Sequence, residues 1–505
     1  MTRPLALAGN RLTRFCRDEA GSILVLWIGS LVAILGIGAL VFDVGRLQIA
    51  HGDLQRFADD VALAAAGELD GHADSIQRAR AAAANLIATR QAFGGDGTLS
   101  GAGDYTLTFL DGLPAADTAD VSGFVTADPL DAAFVRVAAA PASLDPMFLR
   151  ATRALTGGAG PETAQVAAEA IAGFTMEACD ITPLMFCKPT GWSATQPAAI
   201  GDQILLRSGG QGTAWGPGDF GFLDVSASKI GSTCQGLNGA KLIGCLIGAE
   251  DNVTGCYAQR GVDLEPGQKV GLENAVFNTR FDQFTGVMTS YKTNKNYTVA
   301  PNIISGLLPA TNACGWNNVK ASTNSIGLPH DTCFAAGTCS RFGNGSWDYA
   351  RYIDANYGDR NGTLDAGEDS KIAPLIPAAY AGTRYGVYLA EIAYAKTAGL
   401  PQGAILSGRD ETGIAQCSAN VSTRPERRVV IAAAIDCDTY PVNGAASNVP
   451  VAEFVELFMT EPVGTGAGSP PSFDLWVEVI GSAGVAGMGA AGTGGVFRDV
   501  VQLYR

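Results

Sequence analysis

"GSILVLWIGSLVAILGIGALVF" fills residues 21–42 without one ionisable side chain, and Asp43 ends it. As an α-helix this run rises about 33 Å, enough to cross a hydrocarbon core of about 30 Å. A secretory signal core is usually about 7–15 residues and ends at a small-x-small site. This run is longer and leaves through Leu40, Val41, Phe42 and Asp43. A buried core helix rarely extends so far without a polar face. The stretch therefore reads as an uncleaved transmembrane helix over 21–42. Arg3, Arg11, Arg14 and Arg17 precede it, whereas Asp43, Arg46, Asp53 and Arg56 roughly balance after it. Basic flanks stay cytoplasmic, so 1–20 is expected to be a cytoplasmic segment. The protein is expected to be single-pass in the inner membrane, with its bulk periplasmic or otherwise extracytoplasmic.

Charge and cysteine usage agree with export. The net charge is −15; the first 20 residues carry +2, from four Arg against Asp18 and Glu19, which leaves −17 beyond them. Phosphate binding needs a basic face, so nucleic acid is excluded as a partner. Glycine, at 64 residues, exceeds the roughly 35 of average usage, which favours loops and close-packed strands. Of eleven cysteines, Cys16 precedes the span. The other ten (Cys179, Cys187, Cys234, Cys245, Cys256, Cys314, Cys333, Cys339, Cys417 and Cys437) are confined to 179–437. An even set clustered in one segment reads as a disulfide framework in an oxidising compartment. No C-x-x-C occurs, which removes the usual support for zinc-ribbon and thioredoxin readings.

Residues 43–93 are rich in alanine and lack proline, and Leu47, Leu54, Phe57, Val61 and Ala65 keep the three- and four-residue steps of one apolar stripe. A stem helix continuing the span is expected there, interrupted near Gly67 and Gly71 and stopped by Gly94-Gly95. His51 and His72 read as ordinary helix residues. Residues 94–175 form a small α+β module. "YTLTFL" and "AAFVRVAAA" read as strands, "SLDPMFLRATRAL" as a helix opening at Pro146, and "ETAQVAAEAIAGF" as helix or strand. From 176 to 505 short apolar runs alternate with turn residues, as in a larger mainly-β, disulfide-stabilised domain. Within it "AEFVELFM" also suits an amphipathic helix. The fold class is α+β.

The segment "RDEAGSILVLWIGSLVAILGIGALVFDVGRLQIAHGDLQRFADDVALAAAGEL" resembles the N-terminal region of TadG-like (TadE/TadG-type) proteins of the tight-adherence Flp pilus system. Glu19, Gly21, Asp43, Val44, Gly45, Leu54, Gln55, Asp59 and the run Ala62 to Ala66 carry the likeness. A pilin-type stem cut after Gly21 would place Glu fifth in the mature chain, where Leu26 stands. "CDITPLMFCKP", "GDFGFLD", "NTRFDQF", "TRYGVYLAEI", "RRVVIAAAIDC" and "VQLYR" are similar to regions that follow this anchor. The resemblance implies a non-enzymatic inner-membrane component of pilus assembly. Its partners would be the lipid bilayer and other Tad/Flp pilus or minor-pilin components. Gly29, Ala33, Gly36 and Gly38 offer small faces for helix packing.

Two stretches offer metal ligands. "DVSAS" places Asp224, Ser226 and Ser228 in the order that opens a von Willebrand A-type metal site. The strand before it is short and broken by glycine, so the match reads as coincidence. "DANYGDRNGTLDAGED" supplies Asp354, Asn356, Asp359, Asn361, Asp365 and Glu368 as oxygen donors for calcium, and no cofactor other than this ion is expected. Setting Gly362 on the EF-hand turn glycine puts Tyr357 at the first ligand position and breaks that motif. Neither G-x-S-x-G nor G-x-x-x-x-G-K-[ST] occurs, and His330 stands in a loop. The alternative reading is a tethered adhesin or ligand-binding ectodomain using the loops around Trp316 and Trp347; a third is an exported hydrolase.

Overall fold

The computed structural model describes residues 22–504, apart from 71–72, 87–90, 94–96, 100–102, 115, 117, 146–147, 149–162, 180, 209–213, 226–229, 251–255, 259–260, 266–272, 310–318, 401–403, 466–472 and 486–496. The chain divides into two compact units, Met1–Phe174 with Val501–Arg505, and Thr175–Val500.

In the first unit the apolar run and the stem form one helix, α1 (Ser22–Ala66). Its second half buries Leu54, Phe57, Val61 and Ala65 of the stripe expected from helical spacing, with Ala50 and Ala58 beside them, while Leu47 is half-buried. The helix ends at Gly67, and α2 (Ser75–Leu86) follows. Arg78 ties the turn by bonding Glu68 (2.9 Å), Asp70 (2.5 Å) and Asp74 (3.2 Å). The stop differs from expectation. The described helix ends at Leu86, and Gln91–Phe93 pairs with Gly97–Leu99 as a short hairpin around the glycines. β1 (Tyr105–Leu110), β2 (Phe134–Ala139) and β3 (Glu169–Cys179) form an antiparallel sheet in that order. The ambiguous alanine-rich run is thus strand. Pairing with β2 decides it, because Ala170, Ile171 and Ala172 are all buried and show no period. Gly173 is needed there, since a Cβ would stand 2.4 Å from the Phe134 ring. The helix expected to open at Pro146 lies outside the described residues.

The second unit is built on a closed ring of six strands. These are β4 (Leu184–Cys187), β5 (Gln203–Ser208), β6 (Asp219–Leu223), β7 (Val429–Ile435), β8 (Glu453–Met459) and β9 (Phe473–Val485). Going round, β6 pairs β4, β4 pairs β7, then β8, β9 and β5 follow, and β5 closes on β6. The β4–β7 and β5–β6 pairs are parallel and the rest antiparallel. Closure removes the unpaired edges of these strands. "AEFVELFM" is therefore strand β8 and not a helix. Phe454, Val455, Leu457, Phe458 and Met459 are all buried, because both faces of β8 are covered and the polar alternation is lost.

Three disulfides join Cys187 to Cys437, Cys234 to Cys245 and Cys333 to Cys339. The first staples the parallel pair at the C-terminal ends of β4 and β7 across 250 residues of chain. Cys16, Cys314 and the side chains of Cys179 and Cys256 lie outside the described residues, although the backbone register sets Cys179 opposite Cys256.

The longer helices described in this unit are α3 (Gly239–Gly248), α4 (Tyr349–Tyr357) and α5 (Arg384–Thr397). Tyr352 and Ile353 of α4 and Tyr385, Tyr388 and Ala390 of α5 pack against Phe458 and Ile480 of the ring. The start of α5 is fixed by charge. Thr383 caps it through Gly386 N–H (2.9 Å), and the Glu478 carboxylate of β9 accepts the N–H groups of Arg384 (2.8 Å) and Tyr385 (2.7 Å). The Arg384 side chain, fully buried, bonds Glu478 (3.1 Å) and Asp331 (2.5 Å) and donates to Pro329 O (2.7 Å). Asp331 in turn accepts N–H groups from Asn344 and Gly345, each at 2.8 Å.

Removing one partner of a buried ion pair leaves charge stranded and costs about 3–5 kcal/mol, whereas replacing every partner by a neutral group costs far less. Arg384→Met is therefore expected to lower the unfolding free energy of the full chain in detergent by that amount. The triple change with Asp331→Asn and Glu478→Gln should recover part of it. Denaturant titration of both variants checks this; equal loss in the two would refute the charge argument.

Candidate functional site

The first candidate is α1 itself. The described large apolar side chains from Leu24 to Phe42 are 50–73% exposed, and a Cβ added at Gly29, Gly36 or Gly38 would meet nothing within 4 Å. A helical face so apolar and so bare needs a hydrocarbon solvent or another helix. The bare part ends at Asp43, which is 2% exposed and accepts the Phe148 backbone N–H (3.0 Å), while Phe42 meets the Phe148 ring edge-on at 5.2 Å. One seam runs along the helix in steps of seven: Gly29, Gly36, Asp43, Ala50 and Phe57. Its last three members are buried on the first unit. Gln55 donates to Asp59 (2.8 Å) and to Glu169 O (2.9 Å), and Leu54, Ala62, Ala65 and Ala66 are wholly buried. Hence most of the residues beyond the span that resemble the Tad pattern are those that dock the helix on its module. Gly29, Ala33 and Gly36 share the seam face, but Gly38 lies about 200° round from Gly36 and belongs to the other side.

The second candidate is the acidic loop after α4. One carboxylate oxygen each from Asp354, Asp359 and Glu368 lies within 4.8 Å of the others. Asp354 is buried. It accepts the N–H groups of Arg360 (2.8 Å), Asn361 (3.2 Å) and Gly362 (2.9 Å), folding the loop around itself. Gly362 takes φ +92°, which only glycine adopts without strain. Glu368 accepts from Asp359 N and Asp365 N, each at 3.0 Å. Asn361 is held beside them by Asp365 (2.8 Å). Asn356 is a correction: its amide bonds Ile326 N and O, both at 3.0 Å, so it faces away from the carboxylates. The donor set is all oxygen, which suits a hard cation such as Ca²⁺ and not zinc.

Other sequence candidates separate. Asp224 follows β6, which is antiparallel to β4 and to Val262–Glu265; Ser226 and Ser228 lie outside the described residues. His330 stacks on Trp476 (3.8 Å) and bonds Glu461 (3.0 Å). Trp347 donates to Gly382 O (2.9 Å) and lies over Arg384 at 5.1 Å, so packing occupies it; Trp316 is outside the described residues. Sequence reasoning misses the buried Glu391. Its carboxylate accepts from Tyr352 (2.7 Å), Tyr357 (2.9 Å) and Asn302 (2.6 Å), and burial pushes its pKa up to about 7. A perturbed acid often marks a site, but this one is 1% exposed and its donors are neutral core groups. The only sequence signal is one glutamate on an otherwise apolar helical face.

Residues 21–68 match the Tad family model, described as Flp pilus-assembly TadE/G-like. The match covers the bare span and its docking seam. Nothing matches the chain among the curated proteins or among the solved structures. The single N-terminal helix fits a membrane anchor, and the Tad family is membrane-associated and not known for catalysis.

Glu391 sets a pH dependence. Its folded pKa lies above the ordinary 4.5, so the folded chain holds a proton that the unfolded chain releases. Its contribution to stability is thus full below about 4.5 and is lost as pH rises to about 7, on the order of 3 kcal/mol in all. Tm measured against pH should fall more steeply over that window for the natural chain than for Glu391→Gln; parallel curves would contradict the assignment.

Proposed function

We propose that the chain is a membrane-anchored, non-enzymatic structural component of Flp/Tad pilus assembly. In this reading the N-terminus is cytoplasmic and the bulk lies beyond the inner membrane, where its cysteines pair. The observation that carries the reading is that the TadE/G-like segment coincides with a helix bare over its first half and docked over its second. A bare seam that continues a docked one is suited to packing against the stems of pilus or minor-pilin subunits. Because a side chain at Gly36 meets open space within the chain, Gly36→Leu should leave folding intact and report on a neighbour. Cross-linking in cells is expected to capture pilus components with the natural chain and to lose most of that yield with Gly36→Leu. Undiminished capture would count against stem packing, and no capture by either chain against the assembly role.

The acidic loop is proposed to hold a structural calcium ion within this exported part. What favours it is that Asp354 fills the gap left at the first EF-hand position by Tyr357, with Asp359, Asn361 and Glu368 following at the later positions. Calcium at a hundredfold excess over its dissociation constant would stabilise the fold by about 2.7 kcal/mol. Tm should therefore rise with calcium over chelator, and the rise should vanish in Asp359→Asn/Glu368→Gln. An unchanged Tm would reject the site.

A further inference from the structure

The second unit contains a buried arginine with two nitrogens that meet no hydrogen-bond partner among the described residues. Arg280 sits on the short turn Asn278–Phe281, is 4% exposed, and donates through Nη2 to Ile247 O (2.5 Å) at the end of α3. Its Nε and Nη1 have no hydrogen-bond partner among the described residues. Buried N–H groups without an acceptor carry their whole desolvation penalty, and an isolated pair of them on a charged group calls for a ligand or ordered water. Arg280 lines a pocket of about 400 Å³, within the range of small-molecule sites. Ile181, Leu246, Ala249 and Val429 give it an apolar wall.

The charged groups on that pocket set the sign and size of its occupant. Arg280, Arg424 and Arg427 face Glu250 and Glu426, so three cations against two anions leave one positive charge. Glu250 acts on Arg280 through its charge but accepts no hydrogen bond from it among the described residues. Its carboxylate is taken by Arg424 Nε (3.0 Å), Ser422 and Thr298. Arg427 is turned to backbone carbonyls, Gly248 O (2.5 Å) and Thr298 O (2.8 Å). Burial and the neighbouring Arg427 charge depress the Arg280 pKa and outweigh the opposing effect of Glu250. We propose that this pocket binds a small organic monocarboxylate, its carboxylate on Arg280 and its apolar body on the wall beside α3. A phosphate dianion would overshoot the single excess charge and meet the two glutamates.

Isothermal titration of the full-length chain in detergent tests this with benzoate, inorganic phosphate and chloride at matched ionic strength. Benzoate is expected to bind saturably at one site, and Arg280→Gln to weaken it about tenfold or more. Arg424→Gln, on a half-exposed side chain that folding tolerates, should weaken it by a smaller factor and keeps the test valid if the Arg280 variant does not fold. Saturable binding lost in these variants supports the site. No saturable heat, equal response to all three anions, preference for phosphate, or affinity unchanged by the variants would each overturn it and leave the pocket to water.

Discussion

The second unit is organised around one buried cation. Arg384 has no solvent and no freedom: Asp331 and Glu478 hold its guanidinium, and Glu478 also takes the first N–H groups of α5. Through these bonds the direction of α5, the course of the loop that carries Asp331 and the seating of β9 become one condition. Hydrophobic burial alone would not impose it, because Tyr385, Tyr388 and Phe458 could slide against one another at little cost. A charge network that is satisfied in one arrangement only excludes the slipped ones. The same arrangement places the Arg384 guanidinium over Trp347 and so packs that side chain against the buried network.

In the first unit the corresponding constraint is a boundary. An apolar helix can pass from hydrocarbon to a protein surface only where its first charged side chain finds a partner. Asp43 is that side chain, buried and bonded to Phe148 N–H. Below it every described large side chain is bare; above it the seam is filled by Ala50, Leu54, Phe57 and Val61. The TadE/G-like match, residues 21–68, spans both parts.

What can be read from the sequence follows from how each element is buried. The stripe Leu47–Ala65 is legible because one face is covered and the period survives. β8 invites a helical reading because both its faces are covered, and then periodicity carries no information. Asn356 looks like a ligand because spacing gives proximity and not direction; its amide turns to Ile326. Spacing also picks out Asp354, but its part as the loop's centre depends on three backbone N–H groups converging on it, which no spacing rule encodes. Arg384, Arg428 and Arg280 are invisible in sequence as buried cations, since their neighbours (Thr383 and Tyr385, Arg427 and Val429, Thr279 and Phe281) do not set them apart from surface arginines.

These three arginines show how differently one unit satisfies a buried guanidinium. Arg384 has two carboxylates. Arg428 bonds no carboxylate among the described residues: it donates to the carbonyls of Met459 and Thr460 and lies within 5 Å of the rings of Phe281, Tyr388 and Phe458. Burial lowers its pKa to about 10, so it stays charged at neutral pH with carbonyl dipoles and ring faces as its counter-charge. Arg280 has one carbonyl and one ring face, that of Phe277 at 5.6 Å. A core that solves the problem fully at two positions has no evident reason to leave it half solved at a third by accident. The difference is location: Arg384 and Arg428 are enclosed by side chains, whereas Arg280 borders a pocket that something else can enter.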